Sequence, residues 1–198
     1  RKRKPLRHRR QHLLLLVSTK RQPHAARRPL PTAVDSALQR YLQSGGVLLV
    51  LARPGQPFPF FYDERGRPVR AARRFGLHVR HGWERPPSGV RLAFRRNEKQ
   101  QVLTSVPERF PFPTEGDSRW RPIENDYGPQ ARYTALLTLV DQSGRRYGDA
   151  AAWVELTAGP LAGASVGYAW SGLLDQPDCA DGLLVDLLRF ALSRAAEK

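Results

Sequence analysis

The sequence predicts a three-layer α/β protein, an open sheet with helices on both faces, and three stretches carry that prediction. The first is TAVDSALQRYLQSGGVLLVLA at 32–52, which holds a helix, its stop and a strand. The second is the apolar run ASVGYAW at 164–170, and the third is a leucine-rich helical pattern at the C-terminus. A strand that is apolar throughout is one covered on both faces, as parallel strands are between helix layers. A mainly parallel sheet is therefore expected, with residues 47–51 and 166–170 in its interior.

Within 32–52, Thr32 is a good N-cap, and Asp35 meets free backbone amides at the positive end of the helix dipole. Val34, Leu38, Tyr41 and Leu42 fall at i, i+4, i+7 and i+8 and form one apolar stripe. Gly45 and Gly46 follow, and glycine takes the left-handed conformation that closes a helix without a steric penalty. Val47, Leu48, Leu49, Val50 and Leu51 then continue as a strand.

The phrase ALQRYLQSGGVLLVL at 37–51 resembles the helix, Gly-Gly turn and strand of class I glutamine amidotransferase-like domains. Residues 151–174, AAWVELTAGPLAGASVGYAWSGLL, with the apolar helix that follows, resemble the closing strands of such domains attached to glycoside hydrolases of the beta-galactosidase type. The resemblance covers roughly a third of the chain and includes no catalytic signature. It implies a flavodoxin-like architecture, truncated at its N-terminal side, and an accessory role beside a catalytic domain, with a carbohydrate or a second copy of the chain as further partners. In such domains a strand and loop precede the helix, and here Leu13–Val17 and the basic, proline-rich residues 18–31 take that place.

Length and composition bound the rest. A chain of 198 residues with 40% hydrophobic content can bury one core, so one domain at 12–198 is expected behind a poorly ordered basic arm at 1–11. No apolar run approaches the ~20 residues of a membrane-spanning helix. The sequence holds no Met, which points to a processed, trimmed or internal segment, and a single cysteine, Cys179, which excludes an intramolecular disulfide and a cysteine zinc cluster. The net charge of +15 is concentrated in residues 1–34, which carry Arg and Lys and no acid before Asp35. Such an arm contacts polyanions non-specifically through counterion release, but it lacks interleaved aromatics and any reading element.

After Ala52 the sequence RPGQPFPFFYDERGRP excludes regular helix and leaves a shaped loop carrying Phe58, Phe60, Phe61 and Tyr62. Residues 67–76 read as a short basic helix ending at Gly76. Residues 90–94 and 102–106 read as strands flanking a polar turn at 97–100, and the proline-rich residues 107–129 as a long irregular excursion. Residues 133–140 and 147–156 form a hairpin around Asp141, Gln142, Ser143 and Gly144, expected near one edge of the sheet. In the last helix, Leu183, Leu184, Leu187, Leu188, Ala191 and Leu192 form a wide apolar stripe, with Pro177 in its first turn.

Candidate chemistry is sparse. Amidotransferase or hydrolase activity needs a nucleophile on a sharp strand-to-helix elbow flanked by glycines. Cys179 in QPDCADG lacks that elbow, and Ser44-Gly45-Gly46 and Ser171-Gly172 lack its spacing. His78 and His81 lie three apart, yet Gly82 and nearby prolines oppose a helix there, and no third metal ligand is evident. Glu84, Asp149, Glu155 and Asp175 are the acids available for glycoside hydrolysis, which needs a pair about 5 to 10 Å apart. No cofactor motif occurs.

Ligands of open α/β sheets bind beyond the carboxyl ends of the strands. Contact with a ligand or partner domain is therefore expected at Arg53, at Phe61 and Tyr62 in the aromatic loop, and at Trp170. The alternative for Phe61 and Trp170 is that they seal the core. Three classes of function follow: a non-catalytic accessory domain of a carbohydrate-active protein, a hydrolase with an unrecognised site, or nucleic-acid binding through the basic arm.

Overall fold

The computed structural model describes residues 13–17, 32–52, 70–80, 85–113, 120, 122–170 and 180–197. The expected basic arm, the aromatic loop after Arg53 and Pro177 lie outside these residues. Helix α1 (Thr32–Gln43) ends as its pattern predicts, with Gly45 at φ 86° donating its amide to the Leu42 carbonyl. The second glycine serves another purpose. A Cβ at Gly46 would lie 2.5 Å from the Tyr41 ring, whose hydroxyl exchanges hydrogen bonds of 2.9 Å with the Val47 amide and carbonyl. One glycine turns the chain and the other leaves room for the ring that ties the helix to strand β2 (Val47–Ala52).

The described strands are β1 (Leu13–Val17), β2, β3 (Ala93–Arg96), β4 (Arg109–Pro111), β5 (Ala131–Val140), β6 (Arg146–Leu156) and β7 (Ser165–Trp170). They form one sheet in the order β1-β2-β7-β6-β5-β3-β4, followed in sequence by helix α2 (Ala180–Ala196). The strands expected at 47–51 and 166–170 are interior neighbours, since β2 pairs in parallel with both β1 and β7.

The rest departs from a mainly parallel sheet. β7 with β6, β6 with β5, β5 with β3 and β3 with β4 are all antiparallel. The connection at 157–164 explains the change of direction, because a parallel crossover needs a dozen residues or more. The hairpin of β5 and β6 consequently lies in the middle of the sheet rather than near an edge. Its edge position is taken by β3 and by β4, which forms inside the stretch expected to be irregular.

Two further expectations change. Residues 102–106 do not form a strand, because their backbone groups bond to side chains: Arg96 donates to the carbonyls of Leu103 and Val106, and the Ser105 amide donates to Asp186. The basic segment before Gly76 is a 3-10 helix over Arg70–Phe75, and the first strand after it begins at Ala93.

Alternation along β2 sorts the core into two layers. Val47, Leu49 and Leu51 join Leu183, Leu187, Ala191 and Ala195 of α2, whereas Leu48 and Val50 join Leu38 and Leu42 of α1. The two helices therefore cover opposite faces of a mixed sheet. Leu192, expected in the buried stripe, is 55% exposed, and Asp186 faces inward instead. Its carboxylate accepts the Ser105 amide at 2.7 Å and the Ser105 hydroxyl at 3.0 Å, fastening α2 to the loop before β4.

The rings of the α2 layer need one bare backbone position. A Cβ on Gly167 of β7 would stand 2.7 Å from the Trp153 ring and 2.8 Å from Leu49 Cδ1. Both neighbours are buried and cannot withdraw into solvent. Gly167→Ala is expected to destabilise the fold by about 1–3 kcal/mol through overpacking, a difference that urea denaturation resolves.

Candidate functional site

The carboxyl ends of β2 and β7 lie side by side, with Ala52 in register with Trp170. Arg53, Phe61 and Tyr62 lie outside the described residues. Trp170 is 1% exposed, stacked on Phe112 at a centroid distance of 5.6 Å and 5.9 Å from Phe94. Phe112 meets Trp120 edge-on at 5.2 Å, and Phe110 meets Phe94 at 5.1 Å, so the rings form one cluster beneath the strand ends. The indole nitrogens of Trp120 and Trp170 are buried and find no acceptor among the described residues.

The described candidate carboxylates do not form a catalytic pair. Glu155 binds Arg132 at 2.6 Å and Arg194 of α2 at 3.7 Å, on the face that α2 covers. Asp149 belongs to the other face, where Tyr133 packs against the α1 layer. Its Oδ2 accepts the Tyr133 hydroxyl at 2.8 Å, and its Oδ1 accepts the Thr138 hydroxyl at 2.6 Å and an Arg146 guanidinium hydrogen at 2.9 Å. Register shifts along β5 and β6 set Asp149 opposite Thr138. Burial, followed by the charge of Asp149, pushes the Tyr133 phenol well above its ordinary pKa. Glu84, Asp175 and Cys179 lie outside the described residues.

A second polar cluster is built from His78, Asp126, Arg73 and Tyr127. The His78 Nδ1 atom bonds to Asp126 Oδ1, while Arg73 donates to Asp126 Oδ2 at 2.6 Å. The imidazole stacks on Tyr127 at 4.0 Å. The Tyr127 hydroxyl accepts the His78 amide at 2.9 Å and donates to the Gly76 carbonyl at 3.0 Å. The ring is thus held in plane and by Nδ1, with no hydrogen bond to Nε2 among the described residues. His81 lies outside the described residues.

No local pattern announces this cluster. His78 follows the basic 3-10 helix, and Asp126 and Tyr127 come from the proline-rich stretch 107–129. The isolated bridges Val79 to Ile123 and Ile123 to Asp149 bring these segments together. Sequence reading identified His78 only as half of a histidine pair.

The cluster has a defined acid response. Burial pushes the Asp126 carboxyl upward, but its bonds to Arg73 and His78 outweigh this and leave it below the ordinary value of 3.8. A carboxyl lowered by folding contributes stability above its unfolded pKa, and that contribution is lost as pH falls through the lower folded value. Asp126→Asn is expected to lower the melting temperature near neutrality and to flatten its fall below about pH 4. Thermal melts of both proteins across that range measure the difference.

Among the described residues, no group of three or more His, Cys, Asp or Glu side chains could hold a metal ion, and no helix is long and apolar enough to cross a membrane. Comparison with family models, with curated proteins and with solved structures returns no match.

Proposed function

We propose that this chain is a non-catalytic, amidotransferase-like accessory domain of flavodoxin-like descent in a carbohydrate-active protein. It packs against a catalytic domain, joins copies of the chain, or lends a contact to a sugar site. What supports the reading is the neighbourhood of the two stretches that carry the resemblance. Residues 37–51 and 151–174 are far apart in sequence, yet β2 pairs in parallel with β7, and β7 pairs with β6. Their junction at Ala52 and Trp170 is the place where an open sheet presents ligand-binding loops. The buried acids support a structural use of charge, since Asp149 and Asp186 each engage both carboxylate oxygens internally.

Arg53→Ala tests this proposal, because Arg53 directly follows β2. Loss of sugar binding or of assembly with a partner, at unchanged melting temperature, is the expected result. No change in either property would sink the site assignment.

A second reading, a hydrolase, is favoured by one observation, the Asp126-oriented imidazole of His78. It predicts ester or glycoside cleavage that His78→Ala abolishes while the fold persists. Cleavage by that variant at the wild-type rate would remove His78 from the chemistry.

A further inference from the structure

We propose that the end of the sheet formed by β6, β5, β3 and β4 binds an acidic carbohydrate through the guanidinium groups of Arg95, Arg109 and Arg146, which line one exposed face. The proposal rests on the carbohydrate reading above and adds to it a charge class and a place.

A single register row crosses four strands. Arg109 of β4 stands opposite Arg95 of β3, Arg95 opposite Thr138 of β5, and Thr138 opposite Asp149 of β6. Directly opposed residues of antiparallel strands share a face. Phe94 and Phe110, which alternate with the arginines, are buried in the α2 layer, so Arg95 and Arg109 emerge on the other face, where both are exposed. Arg146 joins them through its 2.9 Å bond to Asp149, with its side chain 60% exposed.

Two guanidinium groups directly opposed on neighbouring strands repel each other, and the pairing is unfavourable without an anion between them. The Arg95 side chain has no hydrogen bond or ion pair among the described residues. The Arg109 side chain donates to the Asp141 carbonyl at 3.0 Å, a neutral acceptor. The acids near these arginines are Glu98, Glu108 and Asp141, with Asp149 bonded to Arg146. Glu98 and Glu108 lie close enough for Glu108 to push the Glu98 carboxyl above its usual range, while the charges of Arg96 and Arg95 pull it down; neither acid forms an ion pair with Arg95 or Arg109 among the described residues. Adjacent strands are about 4.8 Å apart, a spacing at which two planar forks converge on one carboxylate or sulfate. The row presents no exposed aromatic ring to stack a base, which favours an acidic sugar over single-stranded nucleic acid.

The test uses the full chain, so that residues 1–34 contribute equally to every protein compared. Wild type, Arg95→Ala/Arg109→Ala and a control, Arg40→Ala/Arg189→Ala, are titrated with polyglucuronate, a neutral glucan and inorganic phosphate. The control removes two exposed charges from the helices instead of the sheet. The sheet variant is expected to lose polyglucuronate affinity by about tenfold or more, with the control close to wild type. It is also expected to keep or raise the melting temperature, because repulsion is relieved. Equal losses in both variants would reduce the effect to net charge and overturn the proposal. Phosphate binding as tightly as polyglucuronate at this row would overturn the carbohydrate assignment. Neutral glucan bound equally by all three proteins, with polyglucuronate unaffected by the sheet variant, would overturn this proposal while leaving the accessory-domain reading intact.

Discussion

Trp170→Ala is expected to lower the stability of the domain by about 3–5 kcal/mol, the range for removing a large buried ring. The indole is 1% exposed and packed against both Phe112 and Phe94, which also contact each other, so truncation would empty a space whose aromatic walls are fixed by their own contacts. Trp170→Phe should recover much of the loss, because a smaller ring keeps the stack on Phe112. Urea denaturation at equilibrium gives the difference directly. Sugar or partner binding by the folded Phe variant then separates the two roles weighed for this residue. Binding kept with stability reduced assigns Trp170 to the core alone, whereas binding lost in a stable variant assigns it to the site.

The second large effect is expected at Asp149. Removing this carboxylate leaves the Tyr133 and Thr138 hydroxyls and one Arg146 guanidinium hydrogen without their acceptor. Hydrogen bonds to a charged group contribute about 1.5–3 kcal/mol each, and an orphaned buried hydroxyl adds its own desolvation cost. Arg146 is largely exposed and regains water, so Asp149→Ala is expected to cost about 2–4 kcal/mol in total. Combining it with Tyr133→Phe should cost less than the two separate losses together, since the phenol is then no longer present to be stranded. Strictly additive losses would show that Asp149 and Tyr133 are not energetically linked.

Several parts of this architecture were legible in residues close together in the chain. Leu38, Tyr41 and Leu42 with Gly45 mark a helix and its stop, and the unbroken apolar run after Gly46 marks a strand covered on both faces. The turn chemistry around Asp141 marks the hairpin, whose carboxylate accepts the amides of Ser143 and Arg145. Other signals were present and decisive only in combination. The run of Ala150, Ala151, Ala152, Trp153 and Val154 is too apolar for a strand near a sheet edge. The short connection at 157–164 forbids a parallel return.

By itself, the sequence determined the helix-stop-strand unit at 32–52, the interior placement of β2 and β7, the α2 stripe through Leu183, Leu187 and Ala191, and the concentration of positive charge before Asp35. These depend on periodicity, backbone conformational preference and burial, which act between residues a few positions apart. Only the tertiary structure decided that most of the sheet is antiparallel, that β4 forms within a proline-rich stretch, and that residues 102–106 bond to Arg96 and Asp186 in place of a ladder. It also decided that His78 meets Asp126 and that Arg95 faces Arg109. The physical reason is common to all of these. Each is a pairing between segments distant in the chain, whose partners are selected by which edges and buried polar groups remain to be satisfied once the local elements have formed.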